Sequence, residues 1–395
     1  MELYTFNPDA DLALADNEEH YMAPASARSM AQDLALLPVW YARPGSAVLA
    51  PSAYNADFLK HVQQIFPLQV QLVTEPELPD YAEAQVIPWG WNPSFRKRML
   101  KGGIAEHSLP SPSALQIYRE LSSRKKAMEI LDTFAGMEAC CGKSDCLLDL
   151  NACKKQVEQE GDYVFKAPWS GSGKGLLWCY GHFPESAANW CGHVLKEQGY
   201  LIGSAIYNKV KDFAMEFYSD GQGAVRFAGY SLFTTNAKGA YLGNELLSSD
   251  AIETKLAEYV PLSALISIRE HLQNRLTAIY GSFYTGYLGV DMMVCRSSEG
   301  TAYAVHPCVE INLRMNMGVV ARLFCDRFLA AGSTGHFRIE YYPSNEELQT
   351  KHAQDSMDPL VVEGNRLVSG YLPLVPVTKR SLYRAYIRAS SEHNS

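Results

Sequence analysis

Four short apolar runs recur through the N-terminal part of the chain: Leu3-Tyr4-Thr5-Phe6, Ala47-Val48-Leu49-Ala50, Val70-Gln71-Leu72-Val73 and Gln85-Val86-Ile87-Pro88. Between the first three, residues 26–36 and 55–66 carry helical spacing. Strands alternating with helices leave few choices. Parallel neighbours need a crossover, and a helix is the usual one, so residues 1–110 are expected to form a parallel α/β sheet. Such sheets place ligands beyond the carboxyl ends of their strands. Trp89-Gly90-Trp91-Asn92-Pro93 stands there after the fourth run, as does Asn7-Pro8-Asp9-Ala10-Asp11 after the first; for the former a packed turn with two aromatic anchors is favoured over a ligand site.

Leu109-Pro110-Ser111-Pro112-Ser113 marks a boundary, because two prolines stop one element and a serine can cap the next. Ala114 to about Leu131 reads as helical, with a break near Ser122-Ser123 ahead of the basic Arg124-Lys125-Lys126. From Tyr163 onward strands dominate. Phe213–Phe217 and Val225–Phe233 are expected to pair antiparallel across the turn at 219–223, and a helix follows Pro261.

Three constellations carry chemistry. The first is Phe165-Lys166-Ala167-Pro168-Trp169-Ser170-Gly171-Ser172-Gly173-Lys174-Gly175. A strand delivers a lysine, and glycines at alternate positions let backbone N–H groups approach an anion. It is not a P-loop: aligning Gly-Lys on Gly173-Lys174 puts Pro168 where a glycine belongs and Gly175 where Ser or Thr belongs. Nor is it a dinucleotide fingerprint, since the spacing is Gly-x-Gly-x-Gly and a strand follows rather than a helix. It reads as a glycine flap between antiparallel strands, or as a plain hairpin loop.

The second is His306-Pro307-Cys308-Val309-Glu310-Ile311-Asn312-Leu313-Arg314-Met315-Asn316. Alternate strand residues share a face, so Glu310, Asn312 and Arg314 project together. Carboxylate and amide oxygens suit Mg²⁺, and a guanidinium suits phosphate. The plain alternative is a solvated face of a half-buried strand. The third is Asp291, alone in the apolar run Gly286–Val294, where a carboxylate needs a cation or several donors. Residues 296–301 read as a turn that returns the chain, bringing Asp291 near Glu310.

In order and spacing these pieces resemble the ATP-grasp superfamily over residues from about 110 to 330. The resemblance implies an α/β chain. A Rossmann-like domain over 1–110 precedes an ATP-grasp domain over 111–395, divided into a lysine and glycine-flap part (about 111–205) and a metal-binding part (about 206–395). It implies that Lys125, after Ser123-Arg124, and Lys166 hold the phosphates of ATP. Ser170, Gly171, Ser172, Gly173 and Gly175 would cover them, Asp291, Glu310 and Asn312 would hold Mg²⁺, and Arg314 with Lys166 would serve catalysis. The implied activity is ligation of a carboxylate to an amine through an acyl phosphate; a small-molecule kinase and a non-catalytic ATP-binding module are the alternatives. The family's hinge glutamate has no counterpart, since Tyr200–Tyr207 holds no carboxylate. The acceptors are not legible; Arg226, Lys238 and Tyr241 are candidates to face them.

The 395 residues carry a net charge of −8 and no long basic run, against a nucleic-acid partner. No apolar stretch is long enough for a membrane span. With no leader legible, nine cysteines read as reduced thiols of a cytoplasmic chain of open oligomeric state. Cys140, Cys141, Cys146 and Cys153 lie close in sequence but lack a CxxC pair, so small apolar roles are expected over a metal site.

Overall fold

The computed structural model describes residues 1–171, 175–236, 239, 241–296 and 302–391. The N-terminal elements are β1 (Glu2–Thr5), α1 (Ala10–Asp16), α2 (Ala25–Asp33), β2 (Ser46–Leu49), α3 (Asn55–Gln63), β3 (Val70–Val73), β4 (Gln85–Pro88) and α4 (Pro93–Lys101). All pairings are parallel in the order β3-β2-β1-β4, so the alternation predicted the sheet. The two candidate ligand turns are stitched together: Asn7 Nδ2 donates to the Gly90 carbonyl (2.7 Å), and Gly90 N–H returns to Asn7 Oδ1 (3.3 Å). Trp89 packs edge-on to Phe6, Trp91 packs against Phe95, and Asn92 caps α4 by accepting from the Phe95 N–H. The packed-turn reading describes this segment.

Next come α5 (Pro112–Leu121), α6 (Arg124–Leu131), β5 (Asp145–Leu147), α7 (Leu150–Glu160), β6 (Tyr163–Lys166), β7 (Leu176–Cys179), α8 (Glu185–Gln198) and β8 (Leu201–Ala205). The expected break near Ser122-Ser123 separates α5 from α6. The sheet β5-β8-β6-β7 is antiparallel and packs α7 and α8 through Cys153, Val157, Cys191 and Val194. The chain continues through β9 (Lys209–Asp220), β10 (Val225–Thr235), β11 (Tyr241–Leu246), α9 (Ser249–Ala257), α10 (Leu262–Tyr280), β12 (Thr285–Arg296), β13 (Tyr303–Asn312), α11 (Met317–Phe328), β14 (Ser333–Tyr341), α12 (Asn345–Asp355), β15 (Val361–Glu363), β16 (Arg366–Pro373) and β17 (Tyr383–Ser391).

These elements gather into two compact units. One is Met1–Leu115 with Leu242–Ser248 and Met315–Ser395; the other is Gln116–Tyr241 with Ser249–Arg314. This grouping differs from the expected division into 1–110 and 111–395. Residues 315–395 group with the N-terminal segment because apolar and polar contacts fasten them to it. Trp40, 1% exposed, packs on Phe324 and Phe328 and donates from Nε1 to the Leu374 carbonyl (2.7 Å). The Asp33 carboxylate accepts the N–H groups of Leu382 and Tyr383. The same unit holds the antiparallel strands β11-β14-β17-β16-β15, where fully buried Arg384 pairs with Glu340 and Asp355.

In the second unit β13-β12-β9-β10 run antiparallel in that order. Helix α10 covers β10 and β9 with Leu265, Ile268, Leu272, Leu276 and Tyr280. The alternation expected to run on to Asn316 stops at Asn312: Asn316 instead accepts from the Val319 N–H (2.9 Å) and caps α11.

Candidate nucleotide and metal site

The described candidates for phosphate, metal and catalysis, Lys125, Lys166, Ser170, Gly171, Gly175, Asp291, Glu310, Asn312 and Arg314, lie in the second unit. Strand β6 ends in Lys166, paired in register with Leu176 of β7, so the glycine segment connects two antiparallel strands. Ser172 and Gly173, with Lys174, lie outside the described residues. Ser170 does not open towards solvent: its Oγ accepts from Arg124 Nη1 (2.5 Å), and its side chain lies over Gly175, where an added Cβ would collide with it. Gly175 in turn accepts the Ala167 N–H through its carbonyl (2.9 Å). Trp169 anchors the start of the turn. It donates from Nε1 to the Arg119 carbonyl (2.8 Å) and lies under the Arg119 guanidinium at 3.8 Å.

Of the two adjacent basic residues, Arg124 is buried and Lys125 is exposed. This differs from the expectation for Lys125, and the reason is helical phase. Arg124, Ala127 and Leu131 stand at i, i+3 and i+7 on the buried face of α6, whereas Lys125 turns 100° away. The Arg124 guanidinium donates from Nη1 to the Ala167 carbonyl (2.6 Å) and from Nη2 to Glu310 Oε1 (2.8 Å); its Nε is buried without a hydrogen-bond partner among the described residues. Lys166 is buried beside it. Burial first, then the like charge of Arg124, pushes the Lys166 ammonium down to about 8, while Glu310 and Cys308 pull the other way.

The hairpin brings the metal candidates together. Asp291 of β12 stands directly across from Glu310 of β13, and Gly289 across from Asn312. Asn312 Nδ2 donates to Asp291 Oδ2 (3.2 Å). The expected turn at 296–301 falls largely outside the described residues. Burial raises Asp291 well above the usual carboxylate range, as do the charges of Glu310 and Glu216; Asn312 and Arg314 act against this. Arg314 lies just beyond the end of β13, half-buried. Among the described residues no three His, Cys, Asp or Glu side chains are grouped to hold a metal; the oxygens that could serve one here are two carboxylates, Asp291 and Glu310, and the Asn312 amide. That set fits Mg²⁺, which takes few protein oxygens and keeps water and phosphate as its other ligands. The crowded carboxylates of Asp291 and Glu310 are what a bound divalent cation relieves.

The sequence offers Asp212 and Glu216 beyond the place of the hinge glutamate without assigning either; Glu216 is 1% exposed and accepts from Ser231 Oγ (2.9 Å). Its signal was the same as that of Asp291: one carboxylate inside the apolar run Phe213–Phe217. Asp212 holds Lys209 and Thr235 instead. His306 and Cys308 share the Glu310 face and are both buried. Cysteines 140, 141, 146 and 153 are free thiols: Cys140 and Cys141 adjoin in the loop before β5, where the Cys140 backbone forms an isolated β-bridge with Val305, Cys146 is on β5 and Cys153 on α7. Arg226 is exposed, and Lys238 lies outside the described residues.

No protein-family model matches the chain, and no curated protein matches it by sequence. Solved structures do match. One is N5-carboxyaminoimidazole synthetase from Staphylococcus aureus complexed with ADP, at 10% identity and TM-score 0.50, covering 100% of this chain and 93% of that one. Another is biotin carboxylase from Campylobacter jejuni in a β-γ-ATP complex, at 12% identity and TM-score 0.52, covering 99% of this chain and 87% of that one. The chain shares the α/β fold of these two solved structures.

Proposed function

We propose that this chain is an ATP- and Mg²⁺-dependent ligase that joins a carboxylate to an amine or similar nucleophile through an acyl phosphate. One observation carries the reading. Two buried cations, Lys166 and Arg124, meet the strand face that bears Glu310 and Asn312, with Asp291 opposite. Two neighbouring buried ammonium and guanidinium groups with one carboxylate between them leave a positive surplus, which suits a polyphosphate. The fold relatives favour the same ligand: beside the two above, the 2-oxoglutarate carboxylase biotin carboxylase domain from Hydrogenobacter thermophilus was solved with MgADP and bicarbonate.

In this reading Lys166 and Arg124 neutralise the nucleotide phosphates, and the Ser170–Gly175 turn covers them through its backbone. Lys125, exposed at the start of α6, is left for the outer phosphate or for solvent. Asp291, Glu310 and Asn312 would hold Mg²⁺, which when bound supplies charge neutralisation between the phosphates. A substrate carboxylate oxygen attacks the γ-phosphorus and ADP leaves. The nucleophile then attacks the acyl carbon, and phosphate departs with the bonding electrons. Arg314 stabilises charge on the transferring phosphoryl group. The chain contributes position and charge rather than a covalent intermediate. The absence of a carboxylate over Tyr200–Tyr207 favours, as a second reading, a module that binds nucleotide without turnover.

Glu310→Gln tests the ligase reading. Release of phosphate from ATP in the presence of a carboxylate and an amine is expected to fall by at least about a hundredfold, with the fold retained by circular dichroism. Turnover that survives in this variant removes the metal assignment. Phosphorylated product released without any amine points to a kinase instead.

A further inference from the structure

We propose that Arg124 is an internal counter-cation that occupies Glu310 in the nucleotide-free chain, so that a divalent metal reaches these carboxylates together with the nucleotide and not before it. The inference rests on the reading of this site as one for metal and nucleotide.

The guanidinium lies deep in the unit. The Arg124 side chain is 5% exposed and that of Glu310 29%, with Nη2 2.8 Å from Oε1. The same guanidinium is fastened to the flap by Nη1, which reaches the Ala167 carbonyl and Ser170 Oγ, and the Arg124 backbone N–H donates to the Pro168 carbonyl (3.0 Å). A metal ligated by Glu310 must sit about 2.1 Å from a carboxylate oxygen. One of the two oxygens already carries a full positive charge at hydrogen-bond distance. In a poorly screened site the two cations repel strongly.

Charge balance makes the effect cooperative. Glu310 is the carboxylate that offsets both Arg124 and Lys166. If metal alone takes Glu310, two adjacent buried cations lose their counter-charge. If nucleotide arrives with the metal, its phosphates supply that counter-charge and the guanidinium can turn to them. The buried Arg124 Nε, which has no hydrogen-bond partner among the described residues, is a donor available for that second position. By linkage, whatever nucleotide does to metal affinity, metal does to nucleotide affinity. A pair that only glues α6 to β13 makes no such demand.

The probe is Mn²⁺ alone, titrated into the full chain without nucleotide and followed by electron paramagnetic resonance. Arg124→Gln is expected to bind free Mn²⁺ about tenfold more tightly than the unaltered chain, within the usual range of coupling between sites. Arg124→Lys keeps the charge but cannot bridge Glu310 and the flap at once, so it is expected to fall between the two; this variant keeps the test open should Arg124→Gln fail to fold. Free Mn²⁺ affinity that is unchanged or weaker in folded Arg124 variants, with nucleotide-dependent Mn²⁺ binding intact in the unaltered chain, overturns the counter-cation and leaves the ligase reading standing. Mn²⁺ that binds neither chain, with nucleotide or without, overturns both.

Discussion

Lys166 is buried among like charge, and its position defines what nucleotide binding does to protons. Its folded value is pushed down to about 8, below the ordinary lysine value of 10.5, chiefly by burial and next by Arg124. Between those two values the unfolded chain binds more protons than the folded one, so this group's contribution to stability rises with pH across the window. Phosphate beside the ammonium favours its charged form. Nucleotide binding near pH 8 to 9 is therefore expected to take up a proton at Lys166. Calorimetric titration in two buffers of different ionisation enthalpy measures this, and identical heats in both contradict it. The same neighbourhood shows what could be read from sequence. Asp291 and Lys166 were legible because a lone charge within an apolar strand, or at its end, is costly to bury unless a partner or ligand meets it. Arg124 was hidden beside Lys125 because both are basic and both follow the serine lead. Only the phase of Ala127 and Leu131 separates them, and that phase fixes which one is buried. Glu216 was hidden because Asp212, four residues away on β9, shares its face, and alternation alone does not separate the buried carboxylate from the one that pairs with Lys209 and Thr235.

The strands of the second unit impose their own constraint through close packing. Gly203 of β8 faces the ring of Tyr163, whose hydroxyl donates to Asp145 Oδ2 (3.0 Å), and a Cβ at Gly203 would run into that ring. Gly203→Ala is expected to destabilise the chain by about 1–3 kcal/mol, as overpacking does in a core, without altering any residue of the candidate site. Urea unfolding measures it, and an unchanged midpoint contradicts the packing described. Elements of this kind were largely visible in the sequence: short apolar runs fixed β1 to β4, a proline and a serine pair bracketed α5 and α6, and the Asp291 and Glu310 strands were expected to pair. The end of β13 was not visible. Asn312 and Asn316 look alike in an alternating pattern, yet one is the last residue of a strand and the other caps a helix, a difference set by what the following turn packs against.

The grouping of the chain into units depends on contacts between residues far apart in sequence. Trp40 meets Phe324, Phe328 and the Leu374 carbonyl, and nothing local in any of these segments announces the others. That is why a division into 1–110 and 111–395 looked natural along the chain, and why 315–395 instead groups with the N-terminal segment. Trp40→Ala is expected to cost about 3–5 kcal/mol, the range for a large buried side chain, and to lower the thermal midpoint by several degrees. A midpoint within a degree of the unaltered chain contradicts this account of the first unit.

The central claim is that the second unit binds Mg²⁺-nucleotide through Lys166. Thermal unfolding of the unaltered chain and of Lys166→Met, each with and without Mg²⁺ and a non-hydrolysable ATP analogue, tests it most directly. At a hundredfold excess over its dissociation constant a ligand of the folded state adds about 2.7 kcal/mol, so a clear Mg²⁺-dependent rise is expected in the unaltered chain and a much smaller one in Lys166→Met. No rise in the unaltered chain, or the same rise in both, contradicts the site described.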